Sequence, residues 1–428
     1  MTDEIHPALP GPTAVTDEMH AGPTAMSRGI RRGRTFLLAA IAGTAIANNY
    51  AIQPVLTDVA ARLDVPLSVI GLVPTAALIG CTSGFALLLP LADRLAPNRL
   101  IAGQLTALAA ALVVAASATG AGVLLAAYVF VGAAAGVAAQ AGSIVGRHAR
   151  PERRAAAVAT VAAGMSAGIL LSRLAGGTLA DVLGWRQMLL VFAALALLGA
   201  LAAAMLLPSE RPPFRHGYLA ALGSLPLLLR QHSHLRRAVA AGGLWYFAFN
   251  LVWVTLVLAL GRPPHSLPPT AIGMYSLAGV LGFGVLPLTG RLADRYTPGT
   301  VIIAGMLVAA AGTVLLATGL DTPPVTALGL ALFDAGCFAA QAANQSRVMA
   351  VDPDRSGSLS SVYLVLYFVV GAIGTALAAP LLAAIGWQGT SLIALAALLA
   401  AAFVAHTGIR RAPRESPGVA AVGPDHRP

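Results

Sequence analysis

Two charged side chains lie deep inside long apolar stretches of this sequence. Arg173 follows the start of one such run, near Ala155, by 18 residues, and Asp334 is the tenth residue of the run 325–347. An Arg at the centre of a membrane helix costs about 2.5 to 3.5 kcal/mol on insertion scales, so such residues usually face a cavity. Arg173 could bind an anionic or electron-rich group or pair with a carboxylate, and Asp334 could take up a proton once it is enclosed. Each has a structural alternative: Arg173 could extend to the membrane surface beside Asp181, and Asp334 could tie neighbouring helices together.

Uncharged polar and aromatic side chains in other apolar runs could line a cavity between helices. Aromatic faces with a few amides suit a flexible, moderately apolar ligand. Amides and Trp also hold membrane helices together, so half of these residues could be structural. The candidates for a cavity or substrate site are Asn48, Asn49, Gln53, Gln140, Arg173, Trp245, Asn250, Trp253, Gln341, Asn344, Tyr363 and Tyr367.

The composition places most of the chain in lipid. Hydrophobic residues make up 57% and charged residues 10%, whereas a soluble domain carries about 25% charged residues. A helix of about 20 apolar residues crosses the hydrocarbon core. The sequence therefore predicts an all-α multi-pass membrane protein with twelve transmembrane helices, at residues 35–57, 67–90, 99–118, 121–145, 155–181, 187–207, 236–260, 270–289, 299–318, 325–347, 359–385 and 388–406.

The arginines predict the orientation. All 27 basic residues are Arg; 23 of them lie on the side that holds both chain ends, three lie on the other side, and Arg173 lies within a span. Cytoplasmic loops carry the excess of positive charge. We therefore expect both termini in the cytoplasm and the protein in the cytoplasmic membrane, and the same placement in loops argues against a nucleic-acid partner.

The chain is two copies of one unit. The turn around Asp93 returns around Asp294, 201 residues later, and Gly184-Trp185 returns as Gly386-Trp387 at 202. Such an internal repeat predicts two six-helix pseudo-repeats. The expected organisation is a disordered cytoplasmic tail (1–33), an N-terminal six-helix lobe (34–207), a cytoplasmic linker (208–235), a C-terminal six-helix lobe (236–406) and a second disordered cytoplasmic tail (407–428).

The apolar runs are joined or interrupted by short motifs, which include Asn49 to Pro54, Pro90 to Arg94, Gly184 to Arg186, Gly290 to Arg295 and Ala343 to Arg347. In this order and at this spacing, the motifs resemble those of the major facilitator superfamily of transporters, and most closely its drug/proton antiporter-like branch. The resemblance covers nearly everything from Arg34 to Ala405. One departure is that Gly168 is followed by Ile169 where the antiporter branch usually has a Gly-Pro pair.

The resemblance also implies a gate at the two Asp-Arg turns. Asp93 would accept hydrogen bonds from the start of a helix in the other lobe when the cytoplasmic side is closed, with Arg94 pairing locally. The alternative is that Asp93 and Asp294 only cap tight loops. The full set of expected gating residues is Asp93, Arg94, Arg99, Asp294 and Arg295.

The expected function is secondary transport by alternating access, as proton-coupled efflux of a small organic molecule with Asp334 as the proton-coupling residue. A uniporter or a proton symporter for a small metabolite is the alternative. The chain contains no Lys, so it has no Walker A loop, and a proton gradient is the expected energy source. We expect no cofactor, no metal and no catalytic residues. The expected partners are a small-molecule substrate, protons and the lipid bilayer, with the protein as a monomer.

Overall fold

The computed structural model describes residues 32–88, 91, 95–149, 153–210, 229–231, 233–280, 296–351 and 356–409. All regular structure in these residues is helical, with short 3-10 turns at Gln53–Val55 and Tyr275–Leu277. The helices are α1 (Arg32–Ala47), α2 (Leu56–Leu63), α3 (Leu67–Ile70), α4 (Val73–Leu87), α5 (Pro97–Ala116), α6 (Ala121–Ala134), α7 (Val137–His148), α8 (Arg154–Leu183), α9 (Trp185–Leu206), α10 (Ser233–Leu260), α11 (Pro269–Met274), α12 (Pro298–Gly319), α13 (Pro323–Ala350) and α14 (Ser356–Ile409).

The predicted all-α multi-pass fold is confirmed. Within the described ranges, nine helical segments are long and apolar enough to cross a membrane. The last of them, Val362–Thr407, holds both the eleventh and the twelfth predicted spans. The first predicted span is interrupted, and the eighth is described only as far as residue 280. These three points account for the difference between nine segments and twelve predicted spans.

Gly184 and Gly386 reverse the chain at matching places in the two halves. Their φ angles are +88° and +69°, in the left-handed region that costs Gly least. Gly184 separates α8 from α9, and Gly386 is the single non-helical residue inside α14. The Gly-Trp repeat therefore marks two equivalent helix reversals.

Each reversal is fastened to a neighbouring helix end. Arg186 donates to the carbonyls of Ala116, the last residue of α5, and of Ala118, two residues further on, at 2.9 to 3.2 Å. In the second half, the indole of Trp387 donates to the carbonyl of Leu316 in α12 at 2.7 Å. These hydrogen bonds satisfy carbonyl groups at helix ends, to which lipid chains have no hydrogen to donate.

The first predicted span is broken, which corrects the expectation of one helix over residues 35–57. Helix α1 ends at Ala47, turns follow over residues 48–52, and a 3-10 turn and α2 continue the chain. Asn side chains compete with the backbone for hydrogen bonds, and Pro54 has no N–H to offer. Irregular backbone at membrane depth is tolerated where it is buried in protein or lines a cavity.

Glycines allow helices within each half to pack closely. In the first half, Gly43 of α1 packs on Gly164 and Gly168 of α8. In the second half, Gly305 of α12 packs on Gly336 of α13. Small residues at such contacts let helix backbones approach, which is the main way that helices associate in lipid.

In the described part of the chain, two helix pairs form the most extensive contacts between the halves. Helix α8 packs on α11 and the 3-10 turn that follows it, where the Ser276 hydroxyl donates to the carbonyl of Leu170 at 3.0 Å. Helix α4 packs on α14, where the hydroxyls of Thr75 and Thr375 are 2.8 Å apart. The broken first span and α10 lie between these pairs, so the centre of the protein is enclosed by both halves.

The predicted lobe boundaries stay predictions. The terminal tails and the linker fall mostly outside the described residues, although α1 already begins at Arg32, α10 at Ser233, and α14 continues to Ile409.

Candidate functional site

Arg173 lies at the centre of the contact between the halves. Its side chain is 1% exposed, and its Nε donates to Oε1 of Gln53 at 3.0 Å. The guanidinium carbon lies 4.0 Å from the ring centroid of Trp253 and 4.8 Å from that of Tyr50. Nη1 and Nη2 are buried and have no hydrogen-bond partner among the described residues. Arg173 therefore does not extend to the membrane surface, and Asp181 instead accepts a hydrogen bond from the backbone of Thr270.

Asp334 contacts the N–H edge of the same Trp253 indole. Its side chain is also 1% exposed, and its Oδ1 accepts a hydrogen bond from Nε1 of Trp253 at 3.0 Å. Oδ2 has no hydrogen-bond partner among the described residues, and a Cβ added at Gly279 would lie 2.5 Å from it. One ring therefore contacts both buried charges, which come from different halves of the chain.

The energies of this arrangement nearly cancel. Burying Arg at mid-membrane depth costs about 2.5 to 3.5 kcal/mol on insertion scales. A desolvated cation–π contact returns about 2 kcal/mol, and a hydrogen bond to a charged group returns about 1.5 to 3 kcal/mol. The contacts of Arg173 with Trp253 and Gln53 can thus hold the ion in place while its two Nη groups keep their donors free.

An aromatic cluster lies next to the two charges. Tyr246 stacks on Tyr367 with ring centroids 3.9 Å apart, and its hydroxyl is 3.4 Å from that of Tyr50. Trp245 contacts both Tyr246 and Tyr367. This surface joins α10 to α14 and reaches the first half at Tyr50, so an apolar ligand in this region would meet rings from both halves.

A second polar group lies within the second half. The Tyr363 hydroxyl donates to Oε1 of Gln341 at 2.7 Å and accepts from Nδ2 of Asn344 at 3.2 Å. Asn344 also donates to the carbonyl of Ala238 in α10 at 2.9 Å. This network ties α10, α13 and α14 together, while Oδ1 of Asn344 has no hydrogen-bond partner among the described residues.

The other predicted cavity residues make local contacts. Asn48 and Asn250 each donate to a carbonyl four residues earlier, at 2.7 and 2.8 Å. Asn49 donates to the sulfur of Cys81 at 3.0 Å. Gln140 donates to the carbonyl of Leu88 at 2.9 Å. These four amides join helices or helix turns and are not among the contacts of Arg173 or Asp334.

The predicted gate is largely outside the described residues. This is the case for Asp93, Arg94, Asp294 and Arg295. Arg99 is described: it is exposed, and its backbone N–H donates to Oδ1 of Asn98 at 2.8 Å.

Three residues at the site were missed by the sequence reasoning. Tyr50 and Tyr246 were not among the predicted site residues, although Tyr50 lies against Arg173 and Tyr246 against Tyr50, and Gly279 was not predicted to pack on Asp334. Tyr246, Asn250 and Trp253 follow the spacing i, i+4, i+7 of one helix face, so this pattern could have pointed to Tyr246. The contact with Gly279 has no local signal, because it joins residues far apart in sequence.

Similar proteins agree with this architecture. An uncharacterized transporter of Escherichia coli O157:H7, YgaY, is 28% identical over 356 residues, which is 83% of this chain and 90% of that protein. The solved structure of the human organic anion transporter MFSD10 superimposes with a TM-score of 0.65 at 18% identity, over 88% of this chain and all of that one. The nucleoside transporter NupG superimposes with a TM-score of 0.70 at 14% identity, over 87% of this chain and 98% of that one.

The family model described as Major Facilitator Superfamily matches residues 36–375. This range includes Arg173, Trp253 and Asp334 and covers most of the chain. The chain therefore belongs to the major facilitator superfamily of transporters.

Proposed function

We propose that this protein is a proton-coupled secondary transporter that moves a small organic molecule by alternating access through the centre of the bundle. The observation that carries the proposal is the placement of Asp334, a fully enclosed carboxylate beside the contact between the halves. An ionised carboxylate is costly in a low-dielectric interior. Opening the site to water and closing it again would therefore drive Asp334 through proton release and uptake.

The two oxygens of Asp334 would have different tasks. Oδ1 is held by the indole of Trp253, which fixes the carboxylate beside the cation–π contact of Arg173. Oδ2 has no hydrogen-bond partner among the described residues, so it is the oxygen that can accept the proton. Protonated Asp334 and the guanidinium of Arg173 would thus both contact the Trp253 ring, and the substrate would bind beside them.

Substrate contacts would come from the aromatic cluster and from Gln53, which both adjoin the charges. Gln341, Asn344 and Tyr363 would line the second half and hold its helices at a fixed separation. Four further amide side chains would hold the helices around the site in place: Asn48, Asn49, Gln140 and Asn250.

Gating is proposed at the Asp-Arg turns, with Asp93, Arg94, Arg99, Asp294 and Arg295 closing the cytoplasmic side. The proposed setting is the cytoplasmic membrane, with a monomer whose two termini are cytoplasmic. The arginine distribution supports this orientation.

Efflux by proton antiport is the direction that the resemblance to the drug/proton antiporter-like branch favours. A proton symporter or uniporter for a metabolite is the second candidate, and one observation favours it. The free Nη donors of Arg173 can bind a negative group. A site that has gained a proton attracts an anion, which favours transport of the two together. In antiport, by contrast, the solute and the proton must compete for the site.

The test uses purified protein in liposomes that enclose a pH-sensitive dye, with a solute found by a thermal-stability screen of a diverse ligand library. Entry of the solute should make the lumen more alkaline if the coupling is antiport and more acidic if it is symport. In Asp334→Asn, solute counterflow should persist while the proton signal is lost.

Asp321→Asn is the matched control, because the side chain of Asp321 is 88% exposed and lies in the turn before α13. That variant should behave as the wild type. An unchanged proton signal in Asp334→Asn would remove Asp334 from the coupling mechanism.

A further inference from the structure

We infer that the substrate is an organic anion, whose carboxylate binds end-on to Nη1 and Nη2 of Arg173 and is carried together with one proton on Asp334. The inference rests on the proposed function, since it names the substrate class and the coupling of the same site. Of the two coupling modes considered above, it selects co-transport.

The first step is the direction in which the Arg173 donors point. Nε is occupied by Gln53, so the side-on face of the guanidinium is not free. Nη1 and Nη2, which form the end of the fork, are buried without a partner among the described residues. A carboxylate fits this pair because its two oxygens match the spacing of two parallel N–H donors.

The second step is that the existing carboxylate does not fill this position. Nη1 and Nη2 of Arg173 and Oδ2 of Asp334 all have no hydrogen-bond partner among the described residues, and Oδ1 of Asp334 is held instead by Nε1 of Trp253. The cation and the anion of the site therefore both contact Trp253 but form no hydrogen bond with each other. The fork of Arg173 stays available to a ligand.

The third step concerns the body of the ligand. The guanidinium lies against the rings of Trp253 and Tyr50, and Tyr246 continues this surface from Tyr50. A carboxylate bound to Arg173 would place its attached group beside these rings. An aromatic or short aliphatic monocarboxylate suits such a surface better than a polyol or a polyvalent anion.

The charge balance then links the anion to a proton. With Asp334 ionised, Arg173 and Asp334 sum to zero, and a bound carboxylate would leave one uncompensated negative charge in a low-dielectric interior. When one proton binds to Oδ2 of Asp334, the sum with the bound anion returns to zero. The proton and the anion thus favour each other's binding, and net movement in either direction follows their combined gradients.

Other titratable groups around Asp334 do not supply this proton near neutral pH. Cys337 lies on the same helix, and Tyr246, Tyr275, Tyr363 and Tyr367 lie on the neighbouring helices and the 3-10 turn. Thiols and phenols ordinarily titrate at about pH 8.5 and about pH 10. Helix α12, which packs along α13, carries no titratable side chain over Pro298–Gly319.

The experiment measures the melting temperature of the purified protein with three matched probes: benzoate, benzamide and benzylamine. A panel of aliphatic and aromatic monocarboxylates with their amides extends the comparison. Benzoate or another carboxylate should raise the melting temperature, and its amide should not. Between about pH 6 and about pH 7.5, where benzoate is ionised, its affinity should fall as the pH rises, by up to tenfold per unit for one linked proton.

Substitutions test the roles of Arg173 and Asp334 separately. Arg173→Gln should weaken carboxylate binding about thirty-fold or more, because one partner of a buried charged hydrogen bond is removed. Arg173→Lys keeps the charge without the fork and should bind more weakly than the wild type and more tightly than Arg173→Gln, which keeps the test usable if Arg173→Gln folds poorly. Asp334→Asn should bind the carboxylate with little dependence on pH.

Three outcomes would overturn the inference. They are stabilisation by benzylamine with no effect of any carboxylate, carboxylate binding that survives Arg173→Gln, and affinity in Asp334→Asn that still falls with rising pH. The first of these would leave proton-coupled transport intact as antiport of a cation. The proposed function fails separately, if no solute that binds produces a proton signal in liposomes.

Discussion

The two main interfaces between the halves are related by the internal repeat, yet they differ in chemistry. Residue Gly273 of the α8–α11 interface is 202 positions after Gly71, which packs on α14. By the same offset, Arg173 corresponds to Thr375. One interface therefore carries a buried cation, and the other carries a pair of hydroxyls at the equivalent place.

The comparison separates the features that occur in both repeats from those that occur in only one half. Close backbone contacts, helix reversals and their fastening to neighbouring helix ends occur in both halves. The ionisable groups do not: Asp334 corresponds to Ala133 at the offset of 201. A symmetric scaffold thus holds an asymmetric site, with its cation from the first half and its carboxylate from the second.

The largest expected effect tests whether the α8–α11 contact can open. A Cβ at Gly177 would collide with the carbonyl of Pro269 in the other half, whereas a Cβ at Gly176 would collide with Ala51 of the same half. Overpacking costs about 1 to 3 kcal/mol. Both Gly→Ala variants should lose stability, but only Gly177→Ala can relieve the clash by parting the halves. Labelling of a Ser276→Cys reporter should therefore speed up in Gly177→Ala alone.

Gly103→Ala serves as the neutral control, since a Cβ there would meet nothing within 4 Å. Cys81 and Cys337 are both buried, so the background labelling should be low. Equal labelling in Gly176→Ala and Gly177→Ala would show that this contact does not separate.

A smaller effect is expected at the hydroxyl pair of the α4–α14 interface. Thr375 donates to the carbonyl of Ala372 at 2.8 Å, so Thr75 must donate to Thr375 across the 2.8 Å contact. Inter-helix hydrogen bonds in membranes contribute about 0.6 kcal/mol on average. A double-mutant cycle of Thr75→Val and Thr375→Val, measured by the free energy of unfolding in detergent, should give a coupling of about that size. A coupling of zero would leave this interface held by packing alone.

The smallest effect is expected at the predicted outer end of the α8–α11 interface. Asp181 accepts a hydrogen bond from the backbone of Thr270 at 2.8 Å. The nearby Asp58 lies just past the first span, and its pKa is raised by partial burial and then by the charge of Asp181, against the opposing effect of Arg62. Because the folded state holds its proton to a higher pH than the unfolded state does, Asp58 makes stability fall as the pH rises from its ordinary pKa to the raised value.

Asp181→Asn should lower the pKa of Asp58 and so reduce this fall. The measurement is the melting temperature from about pH 3 to about pH 6, the range in which carboxylates titrate. Asp321→Asn, at an exposed carboxylate elsewhere, is the control. An unchanged slope in Asp181→Asn would show that Asp181 does not act on Asp58.

Much of the fold could be predicted because helix length and apolar run length follow the same bilayer dimension. Arg173 and Asp334 could also be identified from the sequence as candidate site residues, since a charged side chain inside an apolar run is rare. The break after Ala47 was not predicted, because the apolar run continues through it and periodicity does not reveal a local turn.

The contacts between site residues on different helices could not be predicted from the sequence pattern. Periodicity shows which face of a helix is buried, but it does not show which other helix covers that face. Trp253 and Asp334 are 81 residues apart, and Arg173 and Gln53 are 120 apart. Gln140 illustrates the same limit, because a cavity amide and an amide that binds a helix-end carbonyl look alike in sequence.

The interruption after Ala47 also bears on how the protein enters the bilayer during synthesis. The 16 residues of α1 extend about 24 Å at 1.5 Å per residue, which is less than the hydrocarbon thickness of about 30 Å. The turns over residues 48–52 interrupt the regular helical pattern of backbone hydrogen bonds, and any peptide group left without a partner would meet acyl chains if this segment were released by itself. Since Asn49 in that turn bonds to Cys81 of α4, the insertion machinery would have to retain the first segment until the second arrives, and the two would partition into lipid as a hairpin.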